Sequence, residues 1–213
     1  MRQGRGLPYK EQRSFYRKIA DSLGQPNIDL ISLEWNVGRL GKNNLQPTQA
    51  QEAIMAAEEF TQFIQSGMPI STFWPMSWPK RGEASGRALL DAQHDYNPNK
   101  VFDMFKLYKN ILGQKMIESE SSLKAVQVLS VKSLRNDTMW VYIINKNSGV
   151  PVSKINLHID NFSAAQYKAV GFTAADSTEG ALKIEALKIK NNGSGNFELM
   201  MPQYSLAKIT LVK

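Results

Sequence analysis

Glu34 is the residue whose type and position are best suited to chemistry. It closes the run Asp29-Leu30-Ile31-Ser32-Leu33-Glu34-Trp35-Asn36, an apolar strand-like segment ending in a carboxylate, an aromatic ring and an amide. A parallel strand buried on both faces is nearly all apolar, so a glutamate at its carboxyl end is costly unless something there needs the charge. That makes Glu34 a candidate catalytic nucleophile; the plain alternative is a surface residue at a strand end. A second concentration is Phe73-Trp74-Pro75-Met76-Ser77-Trp78-Pro79. Exposed indoles leave large apolar areas in water, and sugar binding explains them; the alternative is that Met76 and Trp78 pack under the long loop to Asn97. Asp91, His94 and Asp95 are close in sequence, but two carboxylates and one histidine in a polar loop read as turn chemistry rather than a metal or acid-base cluster.

The elements that must position these residues follow from periodicity. Phe15, Tyr16, Ile19 and Leu23 recur at helical spacing within Tyr9 to Leu23, ended near Gly24-Gln25-Pro26. A strand follows over Ile28 to Glu34, then a polar loop to Gln46, with Pro47 suited to a first helical residue. Ala50, Ala53, Ile54, Ala57, Phe60 and Ile64 form the stripe of a second helix that Gly67 stops. Met68 to Trp74 is the next strand, and Asn99 to Ile117 a third helix whose buried side includes Leu112. Two strands separated by such a helix pair in parallel.

Beyond Ser122 the texture changes. Seven short alternating runs follow: Ala125 to Val131, Met139 to Asn145, Ile155 to Ile159, Tyr167 to Phe172, Ala181 to Ile189, Asn196 to Met200 and Leu206 to Val212. With Asn-Asp, Asn-Ser-Gly and Asn-Asn-Gly-Ser-Gly turns between them they indicate an antiparallel β-sandwich. Trp140 reads as its core and His158 as structural.

Ile31-Ser32-Leu33-Glu34-Trp35-Asn36 resembles the seventh strand of retaining glycoside hydrolases of the large (β/α)8 clan, which contains arabinofuranosidases, xylosidases, agarases and porphyranases. The resemblance implies that Glu34 is the nucleophile, because it alone matches the Glu-Trp-Asn of that clan. The clan's general acid usually follows an asparagine directly, and no Asn-Glu dipeptide occurs in this chain. The closing Met201-Pro202-Gln203-Tyr204-Ser205-Leu206 resembles the end of the sandwich that follows such barrels. The implied fold class is α/β plus all-β: residues 1–118 as the last two strands and three helices of a barrel, and residues 119–213 as a sandwich. A whole barrel needs roughly 250 residues, so the chain reads as a C-terminal portion of a longer enzyme, nearly inactive alone. In that frame Leu30, Ser32 and Glu34 point into the barrel with Ile70, Thr72 and Trp74, while Ile31 and Leu33 pack on helices. Glu34 and Trp74 are then neighbours at the mouth. Trp35 is substrate platform or packing, and Asn36 binds a sugar hydroxyl or caps its loop.

Arg39 and Lys42 after the first strand, with Lys80, Arg81 and Arg87 after the second, place cations on the two loops that would rim the site. A cleft lined by one sign attracts the other. The expected ligand is therefore an anionic polysaccharide, a sulfated galactan or a uronate polymer, contacted by Trp35, Asn36, Trp74, Trp78, Arg39 and Arg81; the alternative is a solvated loop partly balanced by Glu83, Asp91 and Asp95.

Composition narrows the rest. The 213 residues are 42% hydrophobic and 21% charged, ordinary for a globular protein. The net charge of +7 does not mark a nucleic-acid binder, because the lysines of the second half are spread singly along alternating strands. No apolar run approaches the ~20 residues of a membrane span, the start lacks a signal-peptide pattern, and the absence of cysteine rules out disulfides. No cofactor or metal is expected, since double displacement needs only two carboxylates. Compartment is not legible, although polymer-degrading members of the clan are exported. The alternatives to an enzyme fragment are a non-catalytic carbohydrate-binding or scaffold protein, and a homo-oligomer covering the open barrel edge.

Overall fold

The computed structural model describes residues 9–37, 47–77, 88–147, 149–174 and 184–213. They form a mixed α/β protein, mostly sheet with three α-helices, whose contacts divide it into two compact units, Met1–Phe102 and Asp103–Lys213. This division by contacts falls within the third helix, most of which goes with the second unit. Among the described residues no helix is long and apolar enough to cross a membrane.

In the first unit α1 (Tyr9–Ser22) precedes β1 (Ser32–Trp35), α2 (Gln49–Gln65) and β2 (Ser71–Phe73). β1 and β2 pair in parallel, as two strands joined by a helix must. α2 begins two residues later than Pro47 suggests, because Thr48 is its N-cap: the Thr48 hydroxyl accepts the Gln51 N–H at 3.2 Å and the Gln51 side chain accepts the Thr48 N–H at 3.0 Å. This capping box satisfies two of the donors that a helix start leaves open. Ala53, Ile54, Ala56, Ala57 and Phe63 supply the buried face of α2. α1 leans on α2 through Tyr9, stacked on Phe63 at 4.3 Å and donating its hydroxyl to Glu59. The expected apolar stripe of α1 is not buried: Phe15, Tyr16, Ile19 and Leu23 are all exposed.

The third helix, α3 (Lys100–Tyr108), is shorter than periodicity predicts. It tightens into a 3-10 turn over Lys109–Ile111, and Gly113 then takes a left-handed φ of +71°. Leu112 is accordingly exposed. The residues expected in its last turn form a strand, β5 (Lys115–Ile117), which pairs with β6 (Val126–Lys132).

The second unit continues with β7 (Thr138–Asn145), β8 (Val152–His158), β9 (Gln166–Thr173), β10 (Glu185–Leu187), β11 (Ile189–Gly193), β12 (Asn196–Pro202) and β13 (Ser205–Val212). One antiparallel sheet runs β10-β9-β13-β7-β6-β5 and another β11-β12-β8. Val128, Val141, Ile143, Ala169, Ala207 and Ile209 of the first share one hydrophobic cluster with Ile155, Phe197, Leu199 and Met201 of the second, as alternation on each strand requires. The run read as one strand over Ala181 to Ile189 divides at Lys188 and feeds both sheets, and its residues 181–183 lie outside the described set. In the hairpin between β11 and β12, Gly195 has φ +76°, and a Cβ there would fall 2.3 Å from the Ile159 carbonyl oxygen, so only glycine fits.

Trp140 is buried, as expected. On its side of β7, Tyr142 stacks on Tyr108 at 4.2 Å and donates to the Leu107 carbonyl at 2.8 Å. The Lys208 ammonium donates to the same carbonyl, also at 2.8 Å. That oxygen belongs to the last turn of α3, where carbonyls lack helical partners and cations are favoured. Burial pushes the Tyr142 phenol well up and the Lys208 ammonium down. Tyr142→Phe alone should cost about 1 kcal/mol, because Lys208 still satisfies the carbonyl. Combined with Lys208→Met it should cost more than the sum of the single changes, since the buried oxygen is then orphaned; denaturant unfolding of the four proteins measures this.

His158 Nδ1 lies 2.8 Å from Asn196 Oδ1 and its Nε2 3.0 Å from Asp160 Oδ1. Two oxygen acceptors favour the imidazolium, so Asn196 first and Asp160 next hold the group above its ordinary 6.5. The folded state binds this proton more tightly than the unfolded chain. Its contribution is therefore complete below pH 6.5 and lost as pH rises through the folded value. Thermal unfolding should separate wild type from His158→Ala more at pH of about 5.5 than at about 8.5.

Candidate active site

The carboxyl ends of β1 and β2 lie side by side. Trp35 is in register with Phe73, and the Trp74 N–H donates to the Trp35 carbonyl at 3.0 Å. The register slips between Ser32, paired with Ser71, and Trp35, so three steps along β1 match two along β2. Such a bulge re-aims the side chains beyond it. Ile31 and Leu33, expected to pack on helices, are both exposed, Leu33 by 75%.

Glu34, the last but one residue of β1, is exposed to water. Trp35 turns the other way. It is only 7% exposed, lying parallel to Phe60 at 6.2 Å, tilted against Phe63 at 5.3 Å and edge-on to Phe73 at 4.9 Å. The indole is packed against the aromatic rings of α2 and β2. Asn36, read as a sugar contact or a cap of its loop, also bonds across to the next strand. Its Nδ2 donates to the Trp74 carbonyl, and its Oδ1 accepts from the Val37 N–H at 2.6 Å. It is a brace between the two strand ends, and an amide directly after a strand-end aromatic was the available signal.

Trp74 directly follows β2, is joined to Pro75 by a cis bond and keeps 44% of its surface exposed. Beside it stands a short hairpin of β3 (Leu90–Asp91) and β4 (Asn97–Pro98). It is tied to the end of β2 by the Leu89 N–H to the Pro75 carbonyl at 3.2 Å and the Leu90 N–H to the Met76 carbonyl at 2.8 Å. Asn99, buried at its base, donates to the Ala88 carbonyl at 3.0 Å. Asp91 and His94 close the tip: His94 Nδ1 is 2.7 Å from Asp91 Oδ2, and the Gln93 N–H donates to Asp91 Oδ1 at 2.9 Å. These bonds, His94 first, hold the Asp91 carboxyl below its ordinary range. The turn-chemistry reading of this cluster agrees with that geometry, and among the described residues no group of three or more His, Asp or Glu is arranged to hold a metal.

Trp78, Arg39 and Arg81, with Lys42, Lys80 and Arg87, lie outside the described residues. The structure thus brings Glu34, Asn36 and Trp74 to one end of a parallel strand pair and removes Trp35 from the surface.

No protein-family model and no curated protein matches this chain. Solved structures do. A xylanase of glycoside hydrolase family 30 subfamily 8 from Clostridium acetobutylicum superposes with a TM-score of 0.66 at 13% identity, over 92% of this chain and 45% of that one. The fold is shared with glycoside hydrolases. A family 44 xyloglucanase from Paenibacillus polymyxa gives 0.68 at 14% identity, over 94% and 35%. The family 51 arabinofuranosidase from Xanthomonas axonopodis pv. citri gives 0.68 at 13%, over 95% and 46%. The chain spans less than half the length of each of these proteins.

Proposed function

We propose that this chain is the C-terminal part of a retaining glycoside hydrolase of the (β/α)8 clan. In this reading β1 and β2 are the last two barrel strands, and the two antiparallel sheets are the sandwich that follows. The observation that carries it is Glu34, an exposed carboxylate at the carboxyl end of a parallel strand, with the half-exposed indole of Trp74 on the next strand. Barrel enzymes carry their chemistry at that end.

The Glu34 carboxylate attacks the anomeric carbon while the glycosidic bond breaks. The leaving oxygen takes a proton from a general acid, whose carboxyl sits ~5 to 5.5 Å from the nucleophile in retaining enzymes. Water then cleaves the glycosyl ester and restores Glu34. Trp74 offers the face on which the sugar ring rests, and Asn36 holds the ends of the two strands together. No Asn-Glu pair in this sequence supplies the acid, so the chain alone is slow, by ~10²- to 10⁴-fold for that loss.

The substrate is a polysaccharide or oligosaccharide. Arg39, Lys42, Lys80, Arg81 and Arg87 favour an anionic one, such as a sulfated galactan or uronate polymer, with Trp78, Arg39 and Arg81 among its contacts. The exposed Ile31 and Leu33 favour coverage of the β1 edge by further barrel strands or a second copy, which solution mass distinguishes. A non-catalytic carbohydrate-binding role is the second reading, favoured by exposed Trp74 without a matched acid. Hydrolysis of a dinitrophenyl glycoside, whose leaving group needs no acid, separates the two: turnover that depends on Glu34 supports the enzyme, and sugar binding without turnover supports the binding protein.

A further inference from the structure

Tyr96 is an aromatic residue that neither the periodicity nor the site above accounts for. It sits near the tip of the β3–β4 hairpin in the left-handed region, φ +56°, directly after Asp95 at φ +53°. Aspartate visits that region readily, whereas a bulky residue there is an outlier. Gly or Asn would take the position with less strain. Yet this strained backbone holds a phenol ring that turns 59% of its surface to water. Tyr204, at φ +46°, is the contrast: it is half-buried, and its carbonyl accepts from the Ala174 N–H at 2.6 Å.

The hairpin is also placed to matter. Leu89 and Leu90 bond to the carbonyls of Pro75 and Met76, the residues that directly follow Trp74. Asp91 and His94 lock the turn from which Tyr96 projects. Strain of this kind concentrates at ligand clamps, and tyrosine presents a large apolar face at low entropic cost.

We propose that Tyr96 is a second sugar platform, stacking on a unit of the polysaccharide chain next to the unit held by Trp74. This rests on the glycosidase reading and adds a subsite to it. It follows that Tyr96 contributes to long ligands and not to single sugars.

Affinity electrophoresis of the chain through gels containing xylan or a sulfated galactan tests this, with Tyr96→Gly, Tyr96→Phe and Trp74→Ala alongside. Tyr96→Gly should retard roughly tenfold less on the polymer that wild type binds, while its Tm rises by about 2–4 °C as the left-handed strain is relieved. Tyr96→Phe should bind as wild type does. Tyr96→Gly that binds as well as wild type, while Trp74→Ala loses binding, overturns the Tyr96 platform and leaves the glycosidase reading intact. A wild-type chain that binds neither polymer overturns both.

Discussion

On the proposed glycosidase reading, Glu34→Gln should eliminate any release of dinitrophenol by this chain from an activated glycoside, while sugar binding and thermal unfolding should stay as in wild type. The expectation follows from where Glu34 stands. It is exposed near the end of β1, so neutralising it changes stability by no more than about 0.5 kcal/mol. The amide keeps the shape and hydrogen-bonding capacity of the carboxylate but cannot form an ester with the anomeric carbon. With the acid-bearing strands in place, the loss in kcat should be on the order of 10⁴-fold or more, as for other nucleophiles acting within a unit. A Glu34→Gln chain that still turned over the activated glycoside would assign any chemistry to a different carboxylate.

Trp35→Ala and Trp74→Ala should part in the opposite sense, though the two indoles lie at the same strand ends. Trp35 fills the space among Phe60, Phe63 and Phe73, and removing a buried ring of this size costs about 3–5 kcal/mol. Much of the unit Met1–Phe102 should therefore unfold at ambient temperature. Trp74 is 44% exposed, and its backbone bonds to Trp35 and Asn36 survive truncation, so Trp74→Ala should cost at most about 1 kcal/mol. Its effect should be on sugar binding. Denaturant unfolding followed by tryptophan fluorescence, next to polysaccharide binding, reads both.

The parallel pair β1–β2 was legible because a helix-length stripe separates two short apolar runs, and a connection of that length leaves little else. The strands of the second unit were legible because alternation is strict and the turns are rich in Asn and Gly. Failures lie where tertiary context overrides a local pattern. Period two cannot foresee the bulge between Ser32 and Trp35, and Leu33, expected against a helix, is exposed. Helical spacing through Ile117 hid the stop at Gly113, since Met116 and Ile117 fit a helix face and a strand edge equally well. The stripe on α1 was visible, but sequence alone did not say that the described residues would leave it open. In the candidate site, the placement of Glu34 and Trp74 near the carboxyl ends of the two strands was legible, and their roles remain the proposal. The bracing by Asn36 was not, because it depends on the Trp74 carbonyl, far away in sequence.

Covalent trapping tests the central claim most directly. The chain is incubated with a dinitrophenyl glycoside bearing fluorine in place of the hydroxyl next to the anomeric carbon, which slows breakdown of the ester more than its formation, and the peptides are mapped by mass. A fluoroglycosyl adduct on Glu34, absent from Glu34→Gln, is the predicted result. An adduct on another carboxylate, or equal labelling of the two proteins, would contradict it.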